Sequence, residues 1–265
     1  MKRALLLVVI SVLIFSAIGF AASTGTINIV GSTSVQPLAE ELAQAYMAKN
    51  PGVKIFVQGG GSGAGIKAAM TNTAEIGSSS RDLTPEETGI FETVIAKDGI
   101  AMIVNKANTV TNLTFDQLRK IYTGEYTNWK QVGGPNMDIV VVNREAGSGT
   151  RGAFEELVLG KLVNTNKCLV QASTGAVQQT VSITKEAIGY ISLGSLDSKA
   201  VKALTIEGIE CTERNILDKK YKIQRPFLML TKNKPAGIVK EFLDWVVSPE
   251  GQKIVGKDYI TINQK

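Results

Sequence analysis

The residues with the most chemical reach lie between Val142 and Phe154, in the run Val142-Asn143-Arg144-Glu145-Ala146-Gly147-Ser148-Gly149-Thr150-Arg151-Gly152-Ala153-Phe154. An apolar run, Asp138–Val142, precedes it and a helix-like run, Ala153–Leu159, follows, so a strand should deliver this loop to a helix start. A helix start exposes free backbone N–H groups at the positive end of the macrodipole and attracts anions. The glycines allow close backbone approach, Ser148 and Thr150 add hydroxyl donors, and Arg144 offers a planar fork that matches a tetrahedral oxyanion.

Three further stretches share this design of strand end, small hydroxyl residues and helix start. They are Gly31-Ser32-Thr33-Ser34, Gly59-Gly60-Gly61-Ser62-Gly63-Ala64-Gly65 and Ser78-Ser79-Ser80-Arg81. One such loop is an ordinary helix cap. Four together, gathered at the carboxyl ends of strands as open α/β sheets require, point to a shared oxyanion site.

The elements that would position these loops can be read from periodicity. Strands are predicted at Thr26–Val30, Val53–Val57, from Ile76, and at Ile100–Val104, Asp138–Val142, Cys168–Ala172, Ile188–Ile191 and Phe227–Thr231. Helices are predicted at Pro37–Lys49, Ala64–Met70, Thr114–Tyr122, Ala176–Lys185, Lys240–Val247 and Pro249–Val255. Thr114 with Gln117 forms a capping-box pattern, and Ser248 with Pro249 opens the last helix. The alternation implies an α/β protein with largely parallel sheets.

Residues 1–22 read as an export signal, with Lys2 and Arg3, the apolar stretch Ala4–Ile18, and the small-residue end Gly19-Phe20-Ala21-Ala22. No cysteine lies near the cleavage site, which argues against a lipid-modified N-terminus. Removal of the signal leaves 243 residues and lowers the formal charge from +5 to +3. That charge is too mild, and the lysines too scattered, to call for nucleic acid. Cys168 and Cys211 leave a disulfide and two unpaired thiols both open, because sequence alone does not fix the separation of their α-carbons.

The chain contains no histidine. That removes the usual general base, the usual zinc ligand and the Ser-His-Asp arrangement together. Gly147–Gly152 formally fits G-x-G-x-x-G, but the next predicted strand ends in Ser173-Thr174 instead of the acidic residue that would hold a ribose. Ser182-Ile183-Thr184-Lys185 fits S-x-x-K without the companion motifs of that hydrolase class. No activated nucleophile or metal cluster stands out for a phosphatase. A binding protein, not an enzyme, is the expectation, with no cofactor and no metal.

As a set, the segments Gly31–Glu40, Gly61–Lys67, Ile76–Arg81, Arg144–Arg151, Ala187–Gly194 and Ser248–Gln252 resemble the phosphate-binding proteins of bacterial ABC phosphate importers, the PstS type, in their short form. The resemblance runs in family order and spans nearly the whole mature chain. It implies a type II periplasmic-binding-protein fold, each of two lobes a mixed sheet flanked by helices. The first lobe would comprise 23–102 plus 228–265 and the second 103–227, with crossings near Ile103 and Pro226. It further implies a monomer in the periplasm that closes on inorganic phosphate and docks on the importer's permease subunits. Carried over by position, the ligand-binding residues are Thr33, Ser34, Ser62, Ser80, Arg144, Ser148, Gly149 and Thr150, while Arg151 steadies the loop or the cleft rim. Ser80 stands where the long form of the family has an aspartate that accepts the ligand's proton; Asp82 and Glu145 are the other acceptor candidates. The residues by themselves also suit another tetrahedral oxyanion, such as sulfate or molybdate.

Overall fold

A computed structural model describes residues 24–263. The export signal expected at 1–22 lies outside these residues.

The strands are β1 (Gly25–Gly31), β2 (Val53–Gly59), β3 (Ile76–Ser79), β4 (Phe91–Asn105), β5 (Asn112–Leu113), β6 (Val140–Arg144), β7 (Leu169–Gln171), β8 (Ala187–Ser192), β9 (Val201–Ala203), β10 (Thr205–Ile206) and β11 (Gln224–Thr231). The α-helices are α1 (Gln36–Lys49), α2 (Ser62–Thr71), α3 (Phe115–Thr123), α4 (Gly149–Phe154), α5 (Thr174–Ile183), α6 (Glu213–Leu217), α7 (Gly237–Val247) and α8 (Pro249–Val255). The capping box of Thr114 and Gln117 forms as read, and the Ser248 hydroxyl accepts from the Gly251 N–H at the start of α8. In α4 the helix runs directly into a π-helical turn, Glu155–Leu159, which ends at Gly160.

The strands follow one another in the order β2-β1-β3-β11-β4-β8-β6-β7, and β9 adds to β4. Pairing is parallel at both ends (β1 with β2 and β3, β6 with β7 and β8) and antiparallel in the middle. The sheets are therefore mixed, not largely parallel. The cause is the two strands the periodicity caught only in part. β4 is fifteen residues long, and its first half, Phe91–Gly99, pairs with β11. From Ile100 onward it pairs with β8. Its opening residues are half-exposed and carry no clean period, so only Ile100–Val104 stood out.

Two main hydrophobic clusters divide at the same point of β4. One gathers Ile27, Ile29, Leu38, Leu42, Ile76, Ile95, Phe227 and Phe242. The other gathers Ile100, Met102, Leu118, Tyr122, Trp129, Phe154, Ile188 and Tyr190. Burying the large apolar side chains of each set contributes about 1.5–3 kcal/mol per side chain, so each half has its own core. Cys211 lies inside the second cluster and Cys168 packs at its border, and both thiols are free. Among the described residues no helix is long and apolar enough to cross a membrane.

Candidate functional site

The predicted loops meet, although Ser78–Arg81 leads from β3 into irregular chain before β4 and not into a helix. Helices α1, α2, α4 and α5 begin at the carboxyl ends of β1, β2, β6 and β7, and their first turns face one another across the seam between the two cores. The Ser34 hydroxyl lies 2.9 Å from that of Thr150 and 2.7 Å from that of Thr174. The Gly63 N–H donates to the Gly147 carbonyl at 2.9 Å. Four helix starts gathered in this way favour a negative charge between them.

Local packing explains how the arginine loop is held. Phe154, at the end of α4, stacks on Tyr190 with 4.4 Å between ring centroids and 10° between planes, and Tyr122 closes the group from the side. The Tyr190 hydroxyl donates to Asn143 Oδ1, which also accepts the Arg144 N–H. Burial pushes the Tyr190 phenol above its ordinary range, so it remains a donor. The Ser148 hydroxyl accepts from the Arg151 N–H and caps α4. Arg151 donates to the Arg144 carbonyl at 3.0 Å and pairs with Glu155. It steadies the loop, as the sequence suggested.

Arg144 is 1% exposed. Its Nε and Nη2 hold both carboxylate oxygens of Glu145, at 2.9 and 2.8 Å, and Nε also reaches the Gln171 carbonyl. Nη2 donates to Thr33 Oγ1 at 3.2 Å, across the seam. Nη1 has only a 3.4 Å contact to Thr174 Oγ1, which leaves donor capacity aimed at the hydroxyl cluster.

Ser62 and Ser80 are fully buried and face each other, with 3.4 Å between hydroxyls. Ser62 Oγ accepts the Ser80 N–H at 3.0 Å. Gly149 sits against both: a methyl group there would lie 2.1 Å from Ser62 Oγ and 2.9 Å from Ser80 Oγ. Gly61, at φ +84°, brings the second loop against the Gly147 carbonyl in a backbone conformation that disfavours other residues. The structure thus gathers Thr33, Ser34, Ser62, Ser80, Arg144, Ser148, Gly149 and Thr150 at one place. An open cavity of about 290 Å³ bordered by Phe115, Glu207, Tyr221 and Ile223 shares no residue with them and shows no convergence of buried donors. Ser182, of the S-x-x-K run, is spent on a bond to the Gln179 carbonyl near the end of α5.

Sequence reading missed five members of this network. Thr174 opens α5 after β7 and has the same strand-to-helix design as the other loops, so the signal was present in Ser173-Thr174-Gly175. Ser32 lies inside a loop already singled out; its hydroxyl oxygen accepts from the Ser34 and Val35 N–H groups and its proton goes to Ser80 Oγ at 2.8 Å. Ser192 lies in the Ala187–Gly194 segment without having been read as a site residue, while Asp98 and Arg225 carry no local signal. Asp98 and Arg225 face each other across β4 and β11. Arg225 donates to Asp98 Oδ2 from Nε and Nη2, at 3.2 and 3.0 Å, and Ser192 donates to Oδ1 at 2.8 Å. The third guanidinium nitrogen, Nη1, donates to Ser80 Oγ at 3.3 Å. Burial raises the Asp98 carboxyl above its ordinary range and lowers the Arg225 guanidinium, while their mutual attraction opposes both shifts. Among the acceptor candidates, Asp82 is exposed and the Glu145 carboxylate is occupied by Arg144.

A family model described as the PBP superfamily domain matches residues 19–250. The phosphate-binding protein PstS of Borreliella burgdorferi is 36% identical over 242 residues, covering 86% of this chain and 87% of that protein. A crystal structure from Clostridium perfringens, described as a phosphate ABC transporter substrate-binding protein with bound phosphate, superposes with a TM-score of 0.86 at 44% identity, covering 89% of this chain and 99% of that one. An ABC-type phosphate transport receptor from Vibrio cholerae superposes at 0.74 with 40% identity, covering 89% and 100%. These relatives have the type II binding-protein fold expected from the sequence. The chain belongs to the PBP superfamily and, within it, to the family of PstS phosphate-binding proteins.

Proposed function

We propose that this protein captures inorganic phosphate between its two lobes and delivers it to an ABC importer. The observation that carries the reading is the pairing of donors from opposite sides of the seam: Ser34 with Thr150, and Thr33 with Arg144. A tetrahedral anion is small enough to bond donors of both lobes at once, and so favours the closed form by differential contacts. Around eight hydroxyl, amide and guanidinium donors, at about 0.5–1.5 kcal/mol each and more for the charged one, are enough for a micromolar complex after ordering costs.

In this reading Thr33, Ser34, Ser62, Ser80, Arg144, Ser148, Gly149 and Thr150 contact the ligand, and Thr174 joins them. The lobes are 23–102 plus 228–265 and 103–227. The change of partner in β4 after Gly99, and the pairing of Gln224 with Gly99, support crossings in β4 and β11, a few residues before those taken from the sequence. The protein acts as a monomeric, periplasmic, non-catalytic receptor that needs no cofactor, binds no nucleic acid, and meets the permease subunits once closed. The export signal and the PstS relatives support that placement.

The test is calorimetry with phosphate, arsenate and sulfate at two pH values. Phosphate is expected to bind in the micromolar range or tighter. Arg144→Ala should weaken phosphate binding at least tenfold, about 1.4 kcal/mol or more. An unchanged affinity would put the site elsewhere.

A further inference from the structure

Ser80 is the position at which the proton-accepting aspartate of the long form is absent, and its hydrogen bonds decide what it offers instead. A serine hydroxyl has two lone pairs and one proton. Ser32 fills one lone pair: its own oxygen already accepts from the Ser34 and Val35 N–H groups, so its proton goes to Ser80. Arg225 Nη1 fills the other. What remains is the Ser80 proton, directed towards Ser62 and Gly149.

The guanidinium that does this is fixed. Its other two nitrogens are bound to Asp98, whose second oxygen is held by Ser192, and the whole group is buried. Two nitrogens converging on Asp98 Oδ2 hold the planar guanidinium in place, and its third nitrogen, Nη1, is aimed at Ser80.

We propose that Arg225, oriented by Asp98 and Ser192, is a positioning residue that locks Ser80 as a hydrogen-bond donor to the bound anion. This deepens the phosphate-binding reading and rests on it. Ser80 then cannot take over the aspartate's role as acceptor of a ligand proton, and it reads an ionised oxygen of the ligand. The pair adds little net charge to the pocket, because Asp98 neutralises Arg225; its effect passes through the Ser80 hydroxyl.

A double-mutant cycle with inorganic phosphate as the probe separates this role from a merely structural one. Arg225→Lys retains a cation for Asp98 but has no third nitrogen to reach Ser80. Ser80→Ala is expected to weaken binding about tenfold, as loss of a buried donor to a charged group does. Arg225→Lys should weaken it by a similar factor in the native background and by less than about twofold in the Ser80→Ala background. Asp98→Asn combined with Arg225→Gln removes both charges without leaving one unpaired, and should show the same dependence on Ser80. Ser80→Ala removes the Nη1 bond but leaves the Asp98–Arg225 ion pair in place, so it gives a reading even where the Arg225 variants fold poorly. Equal losses with and without the Ser80 hydroxyl, or Ser80→Ala with native affinity, would overturn the proposal. Absence of any phosphate binding by the native protein would overturn the functional reading itself.

Discussion

Arg144 and Arg225 are both buried, and each grips a carboxylate with two nitrogens, yet their settings differ. Arg144 pairs with its own neighbour in sequence, Glu145, whose side chain is 31% exposed. Arg225 pairs with a residue on another strand, Asp98, and both side chains are 1% exposed. The Arg144 pair sits on a glycine-rich loop where the two cores meet, and its spare donors face hydroxyls from both sides. The Arg225 pair ties together the two strands that pass between the cores, and its spare donor faces one serine. The pairs differ in bonding, since Arg144 holds both oxygens of Glu145 while two nitrogens of Arg225 converge on one oxygen of Asp98. They differ more in the exposure of the carboxylate.

The largest effect should come from breaking the deeper pair. Asp98→Ala leaves a buried guanidinium without its counter-charge, which costs about 3–5 kcal/mol. In a domain of this size that lowers the melting temperature by on the order of 10 °C. Glu145→Ala also removes a carboxylate held by two guanidinium nitrogens, but Arg144 keeps the Gln171 carbonyl and the Thr33 hydroxyl. Its cost should stay below about 2 kcal/mol. Equal losses of stability in the two variants, measured by thermal or urea unfolding, would show that exposure is not what distinguishes the pairs.

A smaller effect, confined to binding, is expected at Gly149. The added methyl of Gly149→Ala would meet Ser62 Oγ and Ser80 Oγ across the seam, while alanine is a better helix former at that position than glycine. Phosphate affinity should fall at least tenfold. The melting temperature without ligand should change by no more than about 2 °C, since the lobes can separate to relieve the contact. A matching drop in ligand-free stability would mean that the seam stays closed without ligand.

The same contrast explains what the sequence disclosed. The arginine loop was legible because everything that makes it work is contiguous: strand, glycines, hydroxyls, helix start. Thr33, Ser34 and Ser62 were legible for the same reason, and Thr174 had the same signature without being read as a site. Asp98 and Arg225 are 127 positions apart, each within a strand whose opening residues break the hydrophobic period. Only the antiparallel register of β4 and β11 brings them opposite each other, and local pattern does not encode that register. The mixed pairing of the sheets was hidden by the same two strands. The free state of Cys168 and Cys211 likewise depends on where two distant elements pack.

A third arginine extends the comparison to the surface. Arg81 follows directly on Ser80 and grips Glu87 with both Nη nitrogens, at 2.7 and 2.8 Å, and its stem lies against Gly152 of α4. The hydrogen bonds from Arg81 hold the Glu87 carboxyl below its ordinary range, with a further bond from the Thr84 N–H. A carboxylate whose folded value is depressed contributes stability that is complete above the unfolded value and disappears as pH falls through the folded one. At neutral pH, Glu87→Gln should therefore cost about 1 kcal/mol, because the pair is only partly shielded from solvent. That is a shift of about 2–4 °C in melting temperature. Once the pH lies below the depressed value of Glu87, the native side chain is protonated too, and the two proteins should melt together. A gap that persists undiminished in acid would show that Glu87 acts through packing against Arg81 and not through its charge, which would set this pair apart from the Asp98–Arg225 pair in kind and not only in depth.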